Sequence, residues 1–162
     1  MNLAVPRRPQ SGVTLIEMLI VVALISLFAG LMFPSVSSGI ESFRLRQASD
    51  GISGFLNAGL NRAERKRVVI EITVDKAQNA LAMYSTEPGF AKRLELPDGV
   101  RIIDVLPPEP QDPMAPRRFV IYPGGSPPRF GVEIENRRNI RAIVRVDPVT
   151  GVPEVERVAP QQ

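Results

Sequence analysis

The sequence predicts an α+β protein in which a long N-terminal helix packs on an antiparallel β-sheet. An uncharged apolar run covers Met18–Phe33, apolar residues then recur every three or four positions to about Lys66, and the period changes to two after Arg67. The first two patterns are typical of a helix that is apolar all round and then amphipathic, and the third is typical of half-buried strands.

The composition limits what the protein can do. The chain has 162 residues, no Cys and no His, which suits one modest domain with an appendage. Disulfides, thiol nucleophiles, zinc sites built on Cys or His and a Ser-His-Asp triad are therefore excluded. The net charge is +3, and Arg7 and Arg8 contribute two of the positive charges. The rest of the chain is nearly neutral, so a general affinity for polyanions is not indicated.

The N-terminal region combines a basic segment with an apolar helix. Residues 13–33 carry one charge, Glu17, and as a helix they would span roughly 31 Å, the thickness of a bilayer's hydrocarbon core. The positive-inside rule keeps Arg7 and Arg8 in the cytoplasm and directs the C-terminal part into the periplasm. A signal peptide cut near Ser35-Val36-Ser37 would have a shorter apolar region. A generic signal anchor gives no reason for a carboxylate in the membrane, where it is costly.

The segment around Gly12 resembles the prepilin cleavage motif. Ser11-Gly12-Val13-Thr14-Leu15-Ile16-Glu17, followed by the apolar run, is similar to the N-terminal motif of type IV pilins and type II secretion pseudopilins. The resemblance implies that the prepilin peptidase removes residues 1–12 by cutting between Gly12 and Val13, and that Val13 is then N-methylated. It also implies that Glu17 is the filament-assembly glutamate and Pro34 the helix-kinking proline. The family most often has Phe in place of Val13, but an apolar residue is retained and we expect processing.

Two compatible roles are open for Glu17. After cleavage, its carboxylate could neutralise the Val13 amine of a neighbouring subunit, which would fix the axial register of a filament. Thr14-Leu15-Ile16-Glu17 also fits the S/T-x-x-E capping box, in which Glu17 bonds back to the start of the helix.

Beyond the membrane segment, 13–34, residues 35–66 predict an amphipathic continuation of the same helix. The whole helix would run from about Val13 to about Lys66, ~80 Å at 1.5 Å per residue, with a bend near Pro34. Four glycines in its second half weaken it and would permit bending or close approach between elements. The stripe expected to cover a sheet consists of Val36, Ile40, Phe43, Gln47/Ala48, Ile52, Phe55, Leu56 and Ala63.

Residues 67–162 predict a β-rich periplasmic domain. One hairpin is expected from strands 68–74 and 81–85, and a second from strands 93–96 and 100–105 across Pro97-Asp98-Gly99. The proline-rich segment 107–117 predicts an exposed loop. Three further strands are expected at residues 119–122, 129–135 and 140–146.

The later chain carries a second set of family-like residues: Phe119, Tyr122–Ser126, Arg129–Ile134 and Val146–Gly151. With these residues it resembles the H-type minor pseudopilins of type II secretion. The resemblance implies a helix packed on an antiparallel sheet or a small two-sheet sandwich. It also implies a single-pass inner-membrane subunit of the pseudopilus that exports folded proteins, with other pseudopilins, the prepilin peptidase and the inner-membrane assembly platform as partners. A minor type IV pilin acting in pilus assembly or DNA uptake, and a signal-anchored periplasmic enzyme or binding protein, remain alternatives.

Acidic residues give only weak indications of a ligand site. Asp147, Glu154 and Glu156 are close in sequence, as calcium ligands would be, but proximity alone supports them. Glu133 and Glu135 share one face of a strand and are interpreted as solvated charges, because no cleft is implied. We therefore predict no catalytic residue, metal or cofactor.

A cluster of four arginines near the last predicted strand could bind DNA phosphates. It consists of Arg137, Arg138, Arg141 and Arg145. No aromatic residue lies between them to stack on bases, and a solvated or salt-bridged sheet edge that discourages aggregation is the favoured interpretation. A nucleic-acid partner is therefore not expected.

Overall fold

The computed structural model describes residues 13–109, 112 and 114–158, without the side chains of residues 31–38. The chain divides into two compact units, Met1–Ser38 and Gly39–Gln162. Helix α1 covers Leu15–Lys66, so the predicted long helix is confirmed. The helix continues through Pro34. The bend predicted at Pro34 stays a prediction.

The second unit contains two antiparallel four-stranded sheets. Sheet A has the order β3-β2-β1-β5 and sheet B the order β4-β6-β7-β8. The predicted α+β class, with antiparallel strands following a long helix, is therefore confirmed. The strands are β1 (Ile70–Asp75), β2 (Ala80–Ser85), β3 (Ala91–Glu95), β4 (Val100–Leu106), β5 (Arg117–Ile121), β6 (Gly131–Asn136), β7 (Arg141–Val146) and β8 (Pro153–Val158).

One face of α1 enters the core between the two sheets. Its spacing of three or four residues matches the helical period and explains why these positions are buried together. At Gly59 the helix comes so close to sheet A that an added Cβ would lie 2.9 Å from Met83 Cε. The helix contributes Leu45, Ala48, Ile52, Leu56 and Ala63, sheet A contributes Ile70, Ile72, Val74, Leu81 and Met83, and sheet B contributes Val100, Ile102, Val105, Val132, Ile134, Ala142, Val144 and Val146.

The start of the predicted helical stripe was wrong. Ile40 and Phe43 are 47% and 67% exposed, whereas Leu45 is 6% exposed. At about 100° per residue, Phe43 lies about 200° around the helix from Leu45 and so faces away from the core. Steps of four and three backwards from Ile52 lead to Ala48 and Leu45, whereas Phe43 lies five residues before Ala48 and breaks the helical spacing.

The predicted hairpin across Pro97-Asp98-Gly99 was also wrong, because β3 and β4 belong to different sheets. Asn79 is bonded to β4 at this point of the fold. Its Nδ2 donates to Val100 O and its Oδ1 accepts from Ile102 N, both at 2.8 Å. Asn79 thus pairs with the edge of β4 in the way a neighbouring strand would, and β3 pairs with β2 instead.

Strand β8 was not predicted. It begins at Pro153 and is mostly exposed, with the burial pattern of an edge strand. Its charged residues Glu154, Glu156 and Arg157 interrupt the alternation of apolar and polar residues by which strands are recognised. Its pairing with β7 makes β7 an internal strand.

We expect Leu56→Ala to destabilise the second unit by about 2–5 kcal/mol, because Leu56 is fully buried between the helix and the sheets. Chemical unfolding of the full chain in detergent, followed by the β-sheet circular dichroism signal, measures the change. Ala58→Ser, at an exposed position on the same helix, should stay within about 0.5 kcal/mol of the wild type. Equal losses in both variants would contradict the placement of the core.

Candidate functional site

The N-terminus of α1 forms half of the predicted capping box. Thr14 Oγ1 accepts a hydrogen bond from the Glu17 amide at 3.3 Å, and Thr14 O accepts from Met18 N at 3.2 Å. The reciprocal bond, from the Thr14 amide to the Glu17 carboxylate, is not formed. The exposed Glu17 carboxylate makes no hydrogen bond or salt bridge to any residue that the structure describes. The cap therefore uses Thr14, and the Glu17 carboxylate stays available to another group.

The first turns of α1 expose apolar side chains on every face. Val13 is 63% exposed and Leu15 86%. Glu17 and Ser26 are the polar exceptions, and the Ser26 hydroxyl donates within the helix to Val22 O at 2.8 Å. Soluble proteins rarely leave so large an apolar surface uncovered. The large exposed side chains are Val13, Leu15, Ile16, Met18, Leu19, Ile20, Val21, Val22, Leu24, Ile25, Leu27 and Phe28.

The predicted membrane span over residues 13–34 is not confirmed. Among the residues that the structure describes, no helix combines the length and the apolar character needed to cross a membrane.

The predicted processing residues are only partly described. Gly12, on one side of the predicted cleavage point, lies outside the described residues, as does the rest of the predicted leader. Val13, on the other side, precedes α1 and is exposed, and Pro34 lies within the helix without a described side chain. Cleavage at Gly12–Val13, methylation of Val13, assembly through Glu17 and the kink at Pro34 stay predictions.

A network of ion pairs covers the outer face of sheet B. The side chain of Glu135 is only 5% exposed and accepts from Arg101 Nη2 at 2.8 Å and Arg141 Nε at 3.1 Å. Arg141 also pairs with Glu133 at 3.5 Å. The interpretation of Glu133 and Glu135 as solvated charges was wrong, because both are covered by long arginine side chains that cross the sheet.

The hydrogen bonds from Arg101, and secondarily from Arg141, hold the pKa of Glu135 below its usual range, although burial acts in the opposite direction. A lowered pKa stabilises the fold above the ordinary glutamate pKa of about 4.3, and this contribution is lost as the pH falls through the native pKa. The network is therefore a stabilising device at neutral pH.

We expect Glu135→Gln to cost about 1–3 kcal/mol of unfolding free energy at pH 7, because it removes the charge that two arginines share. The difference from the wild type should shrink as the pH falls below 4, where the wild-type carboxyl also becomes protonated. Urea unfolding at a series of pH values measures it. Glu154→Gln, at an exposed position of β8, should show little effect, and a pH-independent loss in Glu135→Gln would contradict the electrostatic origin.

The arginine cluster is divided between two environments. Arg141 pairs with Glu133 and Glu135, and Arg145 pairs with Glu156 at 3.8 Å. The favoured interpretation as salt-bridged residues is thus confirmed for these two, although β7 is an internal strand and not an edge. Arg137 and Arg138 are exposed in the turn between β6 and β7, as predicted.

The candidate calcium ligands do not converge. Asp147 Oδ1 instead accepts from the backbone amides of Thr150 at 3.0 Å and Val149 at 2.6 Å. These bonds close the turn before β8 and lower the pKa of Asp147. Within residues 13–109, 112 and 114–158, no cluster of acidic side chains could hold a metal ion.

Comparison with protein families matches residues 7–33 to the prokaryotic N-terminal methylation motif. The matched segment includes Gly12, Val13 and Glu17 and ends just before Pro34. No curated protein matches the sequence.

Among solved structures, the chain is similar to the minor pseudopilin EpsH from the type 2 secretion system of Vibrio cholerae. The TM-score is 0.52 at 13% identity, and the alignment covers 74% of this chain and 99% of that chain. At this identity the likeness concerns the fold. The two comparisons address different features, a short sequence motif at the N-terminus and the arrangement of the helix and sheets.

Proposed function

We propose that this chain, which has an N-terminal methylation motif and a pseudopilin-like fold, is an H-type minor pseudopilin. In this proposal it is a structural subunit of the pseudopilus that exports folded proteins across the outer membrane by type II secretion. The observation that carries the proposal is the combination, in one chain, of the motif over residues 7–33 with the α+β fold of a minor pseudopilin. Either alone would leave more functions open.

In this proposal the chain is inserted in the inner membrane before it joins a filament. Residues 13–34 anchor it in the inner membrane in a single pass, and the β-rich domain lies in the periplasm. The exposed apolar side chains from Val13 to Phe28 support this role, because lipid would cover an apolar surface that no other described part of the chain buries. The internal hydrogen bond of Ser26 removes one cost of placing that helix in lipid.

Maturation then creates a charged N-terminus next to Glu17. The prepilin peptidase cuts between Gly12 and Val13 and methylates the Val13 amine. In the filament, the amine of one subunit pairs with the Glu17 carboxylate of its neighbour. The structure supports the second step, because Thr14 caps the helix and leaves the exposed Glu17 carboxylate without a described partner.

The partners are of three kinds: other pseudopilins in the filament, the prepilin peptidase during maturation, and the inner-membrane platform during assembly. The protein acts mechanically and not as an enzyme, and it needs no cofactor. Its periplasmic domain stays folded through the ion pairs and core described above, without disulfides, because the chain has no Cys.

A deletion strain tests the secretion role. We expect exoproteins to accumulate in the periplasm while pili and natural transformation stay normal, and secretion to return with the wild-type gene. Unchanged secretion together with a loss of pili or of DNA uptake would contradict the proposal and assign the chain to the minor type IV pilins. No change in any of the three would favour an anchored periplasmic protein of another class.

A further inference from the structure

The turn between β6 and β7 presents two exposed arginines. Arg137 and Arg138 are both exposed, and neither forms a salt bridge with a residue that the structure describes. On the same sheet, Arg101, Arg141 and Arg145 are each paired with a glutamate. The turn therefore carries two guanidinium groups that form no ion pair with a described residue, although the Glu41 carboxylate lies near Arg137 across Gly99.

This turn is held rigidly against α1. Asn136 is 2% exposed, and its Oδ1 accepts from the amides of Arg138 and Ile140 at 3.0 Å each. Its Nδ2 donates to Glu41 O, in the helix, at 3.3 Å. The side chain of Asn136 thus fixes the backbone that carries both arginines, and it fixes that backbone beside Glu41.

A cleft of about 300 Å³ opens next to the turn. Arg101 and Arg137 line it, and Gly99 of the turn between β3 and β4 forms another part of its wall. A Cβ at Gly99 would lie 3.1 Å from Arg137 Nε, so the two turns are in contact. Arg157, exposed on β8 and without a described salt bridge, adds a further positive charge at the same end of sheet B, where Val158 pairs with Arg141.

We propose that this basic turn, Arg137-Arg138, docks on the periplasmic surface of the inner membrane by binding the phosphates of anionic lipids. The inference rests on the membrane anchor in the proposed function. Glu41, to which the turn is tied, follows the end of the apolar run at Phe33 by only eight residues. Eight helical residues extend about 12 Å, and even fully extended they reach no more than about 28 Å.

A lipid surface fits the turn better than a soluble acidic partner does. The anchor keeps the turn at a high effective concentration of headgroups, whereas a soluble protein partner must first be met by diffusion. Guanidinium groups also match phosphate oxygens in a fork-like geometry. Two basic residues near an anionic surface should shift the equilibrium between docked and detached domains by about thirty-fold at moderate salt.

Fluorescence transfer to labelled headgroups tests docking on the full chain. The chain has no Cys, so Asp98→Cys places a single dye on the turn that contacts Arg137. The protein is reconstituted in nanodiscs of phosphatidylcholine alone or with phosphatidylglycerol. We expect the transfer to be higher with phosphatidylglycerol than with phosphatidylcholine alone, and this difference to disappear in high salt and in Arg137→Gln/Arg138→Gln.

Matched controls separate docking from general charge effects. Arg65→Gln/Lys66→Gln removes the same charge from the last turn of α1 and should leave the transfer from position 98 unchanged. Equal transfer in both lipids, or equal losses in the two double variants, would overturn the proposal. A third outcome would also overturn the proposal: Arg137→Gln/Arg138→Gln keeps the wild-type transfer but loses cross-linking to another subunit. That result would show that the turn binds a protein partner.

Alkaline extraction of the same samples tests the anchor separately. If the wild-type chain is released from the membrane, the proposed function fails at its first step. If it stays embedded and the dye shows no dependence on anionic lipid, only the docking inference fails.

Discussion

Replacing Glu17 by Ala should abolish incorporation into filaments while leaving cleavage of the leader intact. In the assembled state, the Val13 amine of a neighbouring subunit would have no counter-charge in an apolar environment. Breaking a buried ion pair from one side typically costs about 3–5 kcal/mol, which corresponds to more than a hundred-fold loss in each subunit addition. Co-isolation with sheared pseudopili, after raised expression of the secretion genes, measures incorporation.

Two further variants separate the assembly role from the capping role. Glu17→Gln preserves the shape and removes the charge, and it should fail as Glu17→Ala does. Thr14→Ala removes the cap seen in the structure, which costs only about 1 kcal/mol, and it should assemble nearly normally. If Thr14→Ala fails and Glu17→Gln assembles, the function of this segment is helix capping alone.

Replacing Gly12 by Arg should stop maturation altogether. A peptidase cleft that accepts an extended chain at glycine has no room for a long charged side chain at the same position. We expect the variant to accumulate in the membrane as the uncleaved precursor, and the mature form to be absent. Electrophoretic mobility and the intact mass of the protein from membranes report the change.

The control for Gly12→Arg places the same side chain two residues earlier. Gln10→Arg adds an equal charge to the leader, strengthens its basic character and should leave cleavage unaffected. Normal maturation of Gly12→Arg would contradict the cleavage point. A block in both variants would show that the charge of the leader, and not the glycine, controls processing.

Local periodicity predicted most strands and the pairing of β1 with β2, but it missed β8 and the partners of β3 and β4. The alternation of Ile70, Ile72 and Val74 identified β1, and all three are fully buried. Strand pairing depends on contacts distant in sequence, and here one such contact is made by a single side chain. Asn79 occupies the edge of β4, and no local pattern distinguishes this asparagine from an ordinary turn residue.

The burial of charged residues was the other feature that the sequence did not predict. Glu135 follows the alternation of a half-exposed strand, so the sequence predicts a solvated carboxylate. Its burial arises because Arg101 and Arg141 come from two neighbouring strands and meet over it. Asn136 was missed for a similar reason, although an asparagine before Arg137-Arg138 is a recognisable signal for a side chain that bonds to its own turn.

For the N-terminal site, the sequence predicts individual residues and their roles, whereas for the β-domain it predicts mainly the positions of strands. Its information is local: a glycine, a carboxylate four residues beyond the new amine, and an apolar run all lie within the segment that matches the methylation motif. The structure adds that Thr14 caps the helix and that the Glu17 carboxylate is exposed.

The most direct test is the mass of the N-terminal peptide of the wild-type protein, isolated from membranes of a cell with an active prepilin peptidase. We predict a chain that begins at Val13 and carries one methyl group on its amine. A chain that still begins at Met1 would contradict maturation and favour a generic signal anchor, and a chain that begins just after Ser37 would identify the segment as a cleaved signal peptide.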